Sequence, residues 1–217
     1  MGKRGPQPRG RVDMHWRPEL AYAIGLIAAD GSLSKNGRHI SFTSKDRELA
    51  EVYRTCLGLS DITIGQKQNG SRSEARYFVV QFGDVLFYQF LEAIGLHPNK
   101  SCTLGPLSIP DEFFFDFLRG EWDGDGTIHR SQDKRWRSSF VVSLGFASGS
   151  RTFLEWLQTS ITSRLGTRGY ITSVNRGYQL RYAKGDSRQI HTALFYRPGL
   201  PCLPRKFAKA QKIFTIT

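Results

Sequence analysis

The sequence has few of the residues that form cross-links or zinc sites. Its 217 residues include three cysteines, Cys56, Cys102 and Cys202, and five scattered histidines. An odd number of widely spaced cysteines excludes a regular disulfide framework and lacks the paired spacing of a zinc site. We therefore expect a protein of a reducing compartment, held together by an ordinary hydrophobic core.

Long apolar runs are also missing. The longest, Ala21 to Ala29, is far shorter than the roughly 20 residues that span a bilayer. No apolar segment follows the basic residues 1–11, so the pattern of a signal peptide is absent. We expect no membrane partner and no secretion, and we place the protein in a bacterial cytoplasm or in an organellar matrix or stroma. Residues 1–17 are predicted to form a flexible basic arm.

Acidic residues are in short supply. The chain has 31 lysines and arginines against 19 aspartates and glutamates, a formal charge of +12, and a pI near 9.9. An excess of this size indicates a polyanionic partner, of which nucleic acid is the first choice. Charge alone leaves an unrelated basic protein equally open.

One stretch occurs twice. Residues Ala23–Gly31 read AIGLIAADG and residues Leu118–Gly126 read LRGEWDGDG, with the second copy 95 positions after the first. At this offset four small or acidic positions coincide: Gly25 with Gly120, Ala29 with Gly124, Asp30 with Asp125, and Gly31 with Gly126. An internal repeat of this spacing indicates two similar halves.

Each copy is predicted to be the end of a helix. The helices begin near Pro18 and Pro110, because proline and acidic residues favour a first helical turn. Gly31 and Gly126 are expected to take the left-handed conformation just past the helix end. Asp30 and Asp125 then sit at the negative end of the helix dipole, which indicates a positive group, such as a divalent cation, beside them.

The small residues of the repeat predict how the two helices meet. Gly25 and Ala29, like Gly120 and Gly124, share one helix face, so that two helix backbones can approach closely there. Asp30 and Asp125 would then lie beside a pseudo-two-fold axis. Two carboxylates that share a metal with phosphate groups are a typical way of binding Mg²⁺.

The remaining pattern predicts an α+β fold of two pseudo-symmetric halves, residues 18–100 and 110–217, joined by a linker at 101–109. Each half reads αββαββα, with a four-stranded antiparallel sheet, and the two sheets form a saddle with the repeated helices at the interface. Specific expectations are a hairpin turn at Asn36-Gly37, a strand beginning near Ile62, a strand pair over Thr127–Val142, a helix over Ser150–Leu165 and a final short helix over Gln189–Tyr196.

The repeated motifs resemble those of the single-chain LAGLIDADG homing endonucleases. The first copy, Gly25–Gly31, is close to the family signature and has Ala28 where an acid is common. The second copy is looser at Glu121 and Trp122. The resemblance extends from about Pro18 to Lys209. It implies a monomeric, intron-encoded, site-specific DNA endonuclease that cuts both strands across the minor groove and leaves staggered ends.

The resemblance also implies the parts of an active site. Mg²⁺ is the expected cofactor, with Mn²⁺ able to replace it and Ca²⁺ able to support binding without cleavage. The expected metal-binding positions are Asp30, Asp125, Ala29 and Gly124, and the expected catalytic residues are Asp30, Asp125, Lys100 and Lys206. Asp123 is a weaker metal candidate because its counterpart is Ala28, and Lys45 is a candidate supporting group.

Long polar side chains on the open faces and turns of the strands are predicted to contact DNA, because β-ribbons can read base edges in the major groove. Any one of them could instead be a solvated strand residue. The predicted residues are Ser32, Ser34, Lys35, Arg38, Gln66, Lys67, Gln68, Arg72, Arg76, Gln81, His129, Arg130, Gln132, Lys134, Arg135, Arg137, Arg168, Asn175, Arg176, Gln179 and Arg181.

Two other functions fit the same pattern. An RNA maturase that assists intron splicing would use the basic surface with host intron RNA, and a non-catalytic DNA-binding regulator would use it with DNA. Neither needs Asp30 and Asp125, so the presence of both acids favours cleavage. An intein is disfavoured, because the chain starts with Met1-Gly2 and ends with Ile216-Thr217.

Overall fold

A computed structural model of the chain describes residues 10–68, 76–133, 136 and 139–216. The N-terminal half contains helices α1 (Pro18–Asp30), α2 (Arg47–Cys56) and α3 (Val85–Ala93) and strands β1 (Gly31–Leu33), β2 (His39–Ser44), β3 (Gly65–Gln68) and β4 (Arg76–Gly83). The C-terminal half contains α4 (Phe114–Asp125), β5 (Gly126–Gln132), β6 (Phe140–Ser148), α5 (Arg151–Leu165), β7 (Tyr170–Val174), β8 (Gly177–Tyr182), α6 (Lys184–Leu194) and α7 (Pro204–Ile216).

Each half has one four-stranded antiparallel sheet, and the two sheets share one topology. The strand orders are β1-β2-β4-β3 and β5-β6-β8-β7. Within each sheet one face is apolar and covered by helices, as the alternation of buried Ile40 and Phe42 with partly exposed Ser41 and Thr43 on β2 illustrates. The predicted fold class, two pseudo-symmetric α+β halves with a four-stranded sheet each, is confirmed.

Helices α1 and α4, the motif helices, pack directly against each other at the centre of the molecule. A Cβ on Gly25 would stand 2.1 Å from the carbonyl oxygen of Phe117, and a Cβ on Gly120 would stand 2.0 Å from that of Tyr22. Only glycine allows two backbones to come this close. The predicted glycine contact therefore sets the distance between the two halves.

The glycines that follow the motif helices do not take the predicted left-handed conformation. Gly31 has φ −87° and Gly126 has φ −80°, both extended, because the chain passes straight from each helix into a strand. Glycine is required there for a different reason. A Cβ on Gly31 would lie 2.5 Å from the Cα of Ile27, and one on Gly126 would lie 2.4 Å from the carbonyl oxygen of Trp122.

Several element boundaries differ from the sequence expectations. Strand β3 begins at Gly65, so Ile62 lies before it and packs on the core. Strand β6 continues to Ser148, and helix α6 begins at Lys184. Helix α7 was not predicted at all. Its buried residues Ala210, Ile213 and Phe214 have helical spacing, but they are interspersed with basic residues that conceal the apolar face.

Part of the predicted N-terminal arm packs on the N-terminal half. Val12 is buried, and the backbone amides of Arg11 and Val12 donate hydrogen bonds of 2.6 and 3.0 Å to the carboxylate of Asp84. Asp84 also caps α3 by accepting from the amide of Phe87. Residues 1–9 lie outside the described residues. Among the helices that the structure describes, none is both long and apolar enough to cross a membrane.

The contact between the motif helices yields a stability prediction. Gly120→Ala should cost at least about 3 kcal/mol, at the upper end for overpacked sites, because the new methyl group meets a backbone carbonyl rather than a movable side chain. The matched control is Gly185→Ala in α6, where a Cβ meets nothing within 4 Å. The control should be neutral or stabilising by up to about 1 kcal/mol. Denaturant unfolding measures both, and equal effects would contradict the close packing.

Candidate functional site

The two motif acids meet at the ends of their helices. Asp30 and Asp125 are the last residues of α1 and α4 and line one cleft of about 430 Å³. The carboxylate of Asp30 lies against α4, with its Oδ2 3.7 Å from where a Cβ on Gly124 would stand. The structure therefore brings together the two residues that the sequence repeat paired.

The environment of the pair disfavours two negative charges. Desolvation, followed by the charge of Asp125, raises the pKa of Asp30 to about 6, and desolvation also raises the pKa of Asp125. The charges of Lys100 and Lys206 oppose both shifts. Such a site gains stability from any cation that enters between the carboxylates.

Two buried lysines cap the motif helices. The Nζ of Lys100 donates to the carbonyl oxygens of Ala28 at 2.5 Å and Ala29 at 3.5 Å at the end of α1. At the end of α4, the Nζ of Lys206 donates to the carbonyl oxygens of Trp122 and Asp123 at 2.5 and 3.1 Å. The predicted positive charge at each helix end is thus supplied by a lysine of the chain itself.

Burial shifts both lysines towards neutrality. It is the main cause that lowers the pKa of Lys206 to about 8, and it also lowers the pKa of Lys100. Nearby carboxylates raise both pKa values in part. For Lys206 the largest opposing charge is that of Asp123, and for Lys100 it is that of Glu121.

The placement of Lys206 differs from the prediction that it follows the last helix of its half. It lies in the first turn of α7. The start of α7 is fixed by Asp123, whose Oδ2 accepts hydrogen bonds from the Leu203 amide at 2.7 Å and the Tyr22 hydroxyl at 2.8 Å. Asp123, the weaker metal candidate, therefore holds together α1, α4 and the segment before α7.

The other wall of the cleft carries two more cations. The ammonium group of Lys45 lies 5.7 Å from the centre of the Tyr77 ring. Arg205, which was not predicted, forms a two-pronged ion pair with Asp46 at 2.7 and 2.5 Å. This hydrogen bond keeps the pKa of Asp46 below its usual value and ties α7 to the N-terminal half.

The strand register places some predicted DNA-binding residues on the open face of each sheet. Ser32 pairs with Ser41 and Ser41 with Gln81, all on the face opposite the buried Ile40 and Phe42. The predicted residues whose register positions lie on the open faces are Ser32, Lys67, Gln81, His129, Gln179 and Arg181.

By strand register, four predicted residues share the face of the core residues, so the expectation that they project from the open face is wrong, although three of them, Gln66, Arg76 and Gln132, are exposed. Gln66 pairs with Phe78, and Arg76 shares the face of Phe78 and Val80. Arg130 stacks its guanidinium 3.7 Å from the centre of the Phe140 ring. Gln132 pairs with Phe140 on the same face as Arg130. The side-chain period of two means that an error of one position reverses the face.

The other predicted contacts lie in turns or outside the described residues. Ser34, Lys35 and Arg38 lie in the β1–β2 connection, Asn175 and Arg176 in the β7–β8 turn, and Arg168 just before β7. Arg72, Lys134, Arg135 and Arg137 fall outside the residues that the structure describes, as does the side chain of Gln68.

Helix α7 adds basic residues that sequence reasoning missed. Together with the open face of the C-terminal sheet it forms a groove of about 670 Å³, lined by His129, Arg181, Arg205 and Lys209 among others. Arg205, Lys209 and Lys212 recur at helical spacing. That pattern is the sequence signal that indicates a basic helix face.

The oxygen ligands at the motif acids suit a hard divalent cation such as Mg²⁺. In the described part of the chain no three or more His, Cys, Asp or Glu residues come together as a metal cage. Two carboxylates with backbone carbonyls nearby suit Mg²⁺, which keeps water and phosphate ligands. The carbonyl of Ala29 is a weak acceptor for Lys100, and Gly124 contacts Ala29, so both predicted metal positions lie beside the acids.

Comparison of the sequence with family models identifies the class of protein. Residues 17–95 and 112–192 each match the LAGLIDADG-like domain. The chain therefore belongs to the LAGLIDADG family and carries two copies of its domain. No curated protein sequence matches the chain significantly.

Solved structures share the fold at low sequence identity. The homing endonuclease I-WcaI, bound to its DNA recognition sequence, superposes with a TM-score of 0.67 and 14% identity over 97% of this chain and 94% of that one. Meganuclease I-SmaMI, bound to uncleaveable DNA, superposes with a TM-score of 0.59 and 16% identity over 92% of this chain and 90% of that one. Full-length WhiA from Thermatoga maritima superposes with a TM-score of 0.57 and 16% identity over 94% of this chain. This chain spans only 62% of the length of the WhiA chain.

The raised pKa of Asp30 predicts that ionisation of its carboxyl group destabilises the folded protein. A carboxylate whose pKa is higher in the folded state than in the unfolded state stabilises the fold when protonated, and that stability is lost as pH rises through about 6. Without metal or DNA, Asp30→Asn should therefore raise stability by about 1 kcal/mol at pH 7.5 and much less at pH 4.5. This is less than the full shift converts to, because the carboxylate faces the open cleft.

Thermal unfolding across this pH range provides the measurement, with Asp46→Asn as the matched control in the same cleft. The pKa of Asp46 is lowered by its hydrogen bond to Arg205, so its replacement should destabilise the protein at pH 7.5 and matter less as pH falls. If Asp30→Asn destabilised the protein at pH 7.5, the claim that burial and the charge of Asp125 disfavour ionised Asp30 would be disproved.

Proposed function

We propose that the protein is a site-specific DNA endonuclease of the homing type. It recognises a long double-stranded target through its two sheets, hydrolyses both strands across the minor groove, leaves staggered ends, and is encoded in an intron. The observation that carries this proposal is the pairing of Asp30 and Asp125 at one point between two open sheet faces. A protein that only binds nucleic acid gains nothing from two mutually repelling carboxylates there.

Charge and shape support duplex DNA as the partner. The formal charge of +12 suits a polyanion, and a β-ribbon fits the major groove. The open faces carry polar side chains such as Lys67, Gln81, Gln179 and Arg181 that can contact phosphates or base edges. The similarity to I-WcaI and I-SmaMI, both of which have been solved with DNA, supports the same kind of partner. One chain supplies both halves, so we propose a monomer.

The chemistry assigns separate tasks to the acids and the lysines. A divalent cation, Mg²⁺ in the first instance, would be held by Asp30 and Asp125 and would supply charge neutralisation and water activation. Lys100 and Lys206 fix the helix ends that carry those acids. With a pKa near 8, Lys206 can hold or release a proton close to neutral pH. Its ammonium form also adds positive charge beside the bound phosphate.

Cleavage of a pooled library of long randomised duplexes tests the proposal. With Mg²⁺, new staggered ends should appear at one long sequence, and with Ca²⁺ the duplex should be bound but not cut. Asp30→Asn and Asp125→Asn should each lower double-strand cleavage at least about 100-fold while retaining binding. Asp111→Asn, an exposed acid just before α4, is the control and should cut normally.

The outcomes separate the proposal from its alternatives. Full activity in Asp30→Asn or Asp125→Asn would show that the replaced acid is not part of the active site. Tight binding of one duplex without any cut would indicate a DNA-binding protein on the same fold. Weak binding to all duplexes, with tight binding to intron RNA, would indicate a maturase.

The strand register predicts which basic residues bind phosphate. Lys67 lies on the open face, whereas Arg76 lies on the opposite face of the neighbouring strand. Lys67→Ala should reduce the slope of log affinity against log salt by about 0.9, which corresponds to one phosphate contact, and Arg76→Ala should leave the slope unchanged. Salt titrations of binding measure both variants. A larger effect for Arg76 would show that the other face meets DNA.

A further inference from the structure

The internal repeat generates two cavities beside the motif acids, and they are not alike. We call them the Lys206 cleft and the Lys100 cavity. Ser44 at the end of β2 lines the Lys206 cleft, and Ser148 at the end of β6 lines the Lys100 cavity. Gly124 and Ala29, which correspond in the repeat, line the cleft and the cavity respectively. The two spaces are therefore counterparts about the pseudo-two-fold axis.

The volumes of the Lys206 cleft and the Lys100 cavity differ about threefold. The Lys206 cleft has a volume of about 430 Å³ and the Lys100 cavity one of about 130 Å³. The smaller volume corresponds to about four water molecules at roughly 30 Å³ each. It can hold ordered water beside Asp125, but it leaves little room for a phosphodiester with its two sugars.

The Lys206 cleft and the Lys100 cavity also differ in the exposed cations that line them. Lys45 follows Ser44 and lines the Lys206 cleft, whereas Gly149 follows Ser148 at the Lys100 cavity. A Cβ on Gly149 would stand 2.4 Å from the carbonyl oxygen of Ser101, so no side chain can take the place of Lys45 there. Arg205, also in the cleft, precedes Lys206, and the residue that precedes Lys100 is the uncharged Asn99.

Besides the motif acids Asp30 and Asp125, two acids line the Lys206 cleft, and both are engaged by groups other than Lys45. Asp46 is engaged by Arg205, and Asp123 accepts hydrogen bonds from Leu203 and Tyr22. The ammonium group of Lys45 is exposed above an aromatic ring.

The Lys100 cavity has instead a buried acid on its wall. Glu121 is 1% exposed, and its Oε2 has no hydrogen-bond partner among the described residues. The corresponding residue of α1 is the apolar Leu26. A buried carboxyl group at this wall favours water as its hydrogen-bond partner.

We infer that the two scissile phosphates are held unequally, tightly in the Lys206 cleft and weakly at the Lys100 cavity. The strand whose phosphate enters the Lys206 cleft is cut first, and the other strand is cut from a nicked intermediate. This inference rests on the proposed endonuclease function, but its first test reads binding alone.

The binding test replaces one charged phosphate at a time by a neutral methylphosphonate, at each of the two scissile positions of the target duplex. Affinity is measured without divalent metal. Neutralising the phosphate of the Lys206 cleft should weaken binding about tenfold, the size expected for a charge-assisted contact. Neutralising the other should weaken it less than about threefold.

A Lys45→Ala variant identifies which phosphate belongs to which site. In this variant the costly methylphosphonate should lose most of its effect, because the residue and the phosphate charge act as one pair. The other methylphosphonate should cost the same as in the wild type.

Strand-specific end labels then report the order of cutting in Mg²⁺, and the nick should accumulate in the strand coupled to Lys45. Equal costs for the two methylphosphonates, or a larger cost at the position that is not coupled to Lys45, would overturn the inference and leave the endonuclease proposal intact. Failure to bind any duplex would overturn the proposed function itself.

Discussion

The structure depends on a helix crossing that is closer than any side chain permits. Gly25 and Gly120 let the backbones of the motif helices touch, and this contact brings the C-terminal ends of α1 and α4 to one place. Two helix dipoles then point their negative ends at the same small volume, which already contains Asp30 and Asp125. The buried Lys100 and Lys206 make that arrangement tolerable, because each donates to the free carbonyls of one helix end.

The symmetry of the crossing is broken by charge on one helix only. Positions occupied by Ile24, Leu26 and Ala28 on α1 are occupied by Arg119, Glu121 and Asp123 on α4. Two of these extra charges bind the C-terminal segment. Arg119 donates to the carbonyl oxygens of Pro201 and Leu194 at 2.8 Å, and Asp123 accepts from the amide of Leu203. They fix the start of α7 and thereby the position of Lys206.

The third residue, Glu121, lines the smaller cavity, and its Oε2 has no hydrogen-bond partner among the described residues. Lys100 and Lys206 are thus both buried helix caps, but their surroundings differ. One is set beside an open cleft with exposed cations on its wall, and the other is set beside a small space with a buried acid. A fold that repeats itself in topology need not repeat itself in electrostatics.

Much of this arrangement could be predicted from the sequence, because repeats and helix-end signals are local. The pairing of Asp30 with Asp125 and the glycine contact follow from one offset. The sheet faces on which Gln66 and Arg130 lie could not be predicted, because the face of a strand residue depends on the register with neighbouring strands. Helix α7 was concealed by its basic residues. The extended conformation of Gly31 is set by the strand that begins there, and its lack of a Cβ is required by the contact with Ile27. The burial of Glu121 depends on packing that only the folded chain provides.

The central claim is that Asp30 and Asp125 hold a divalent cation between the two DNA strands. The most direct measurement is a crystal structure of the protein with an uncut target duplex and Mn²⁺, with anomalous scattering recorded at the manganese absorption edge. The account predicts anomalous density in contact with both carboxylates and with backbone phosphate. Density bound elsewhere on the chain, or none at the helix ends with DNA in place, would contradict it.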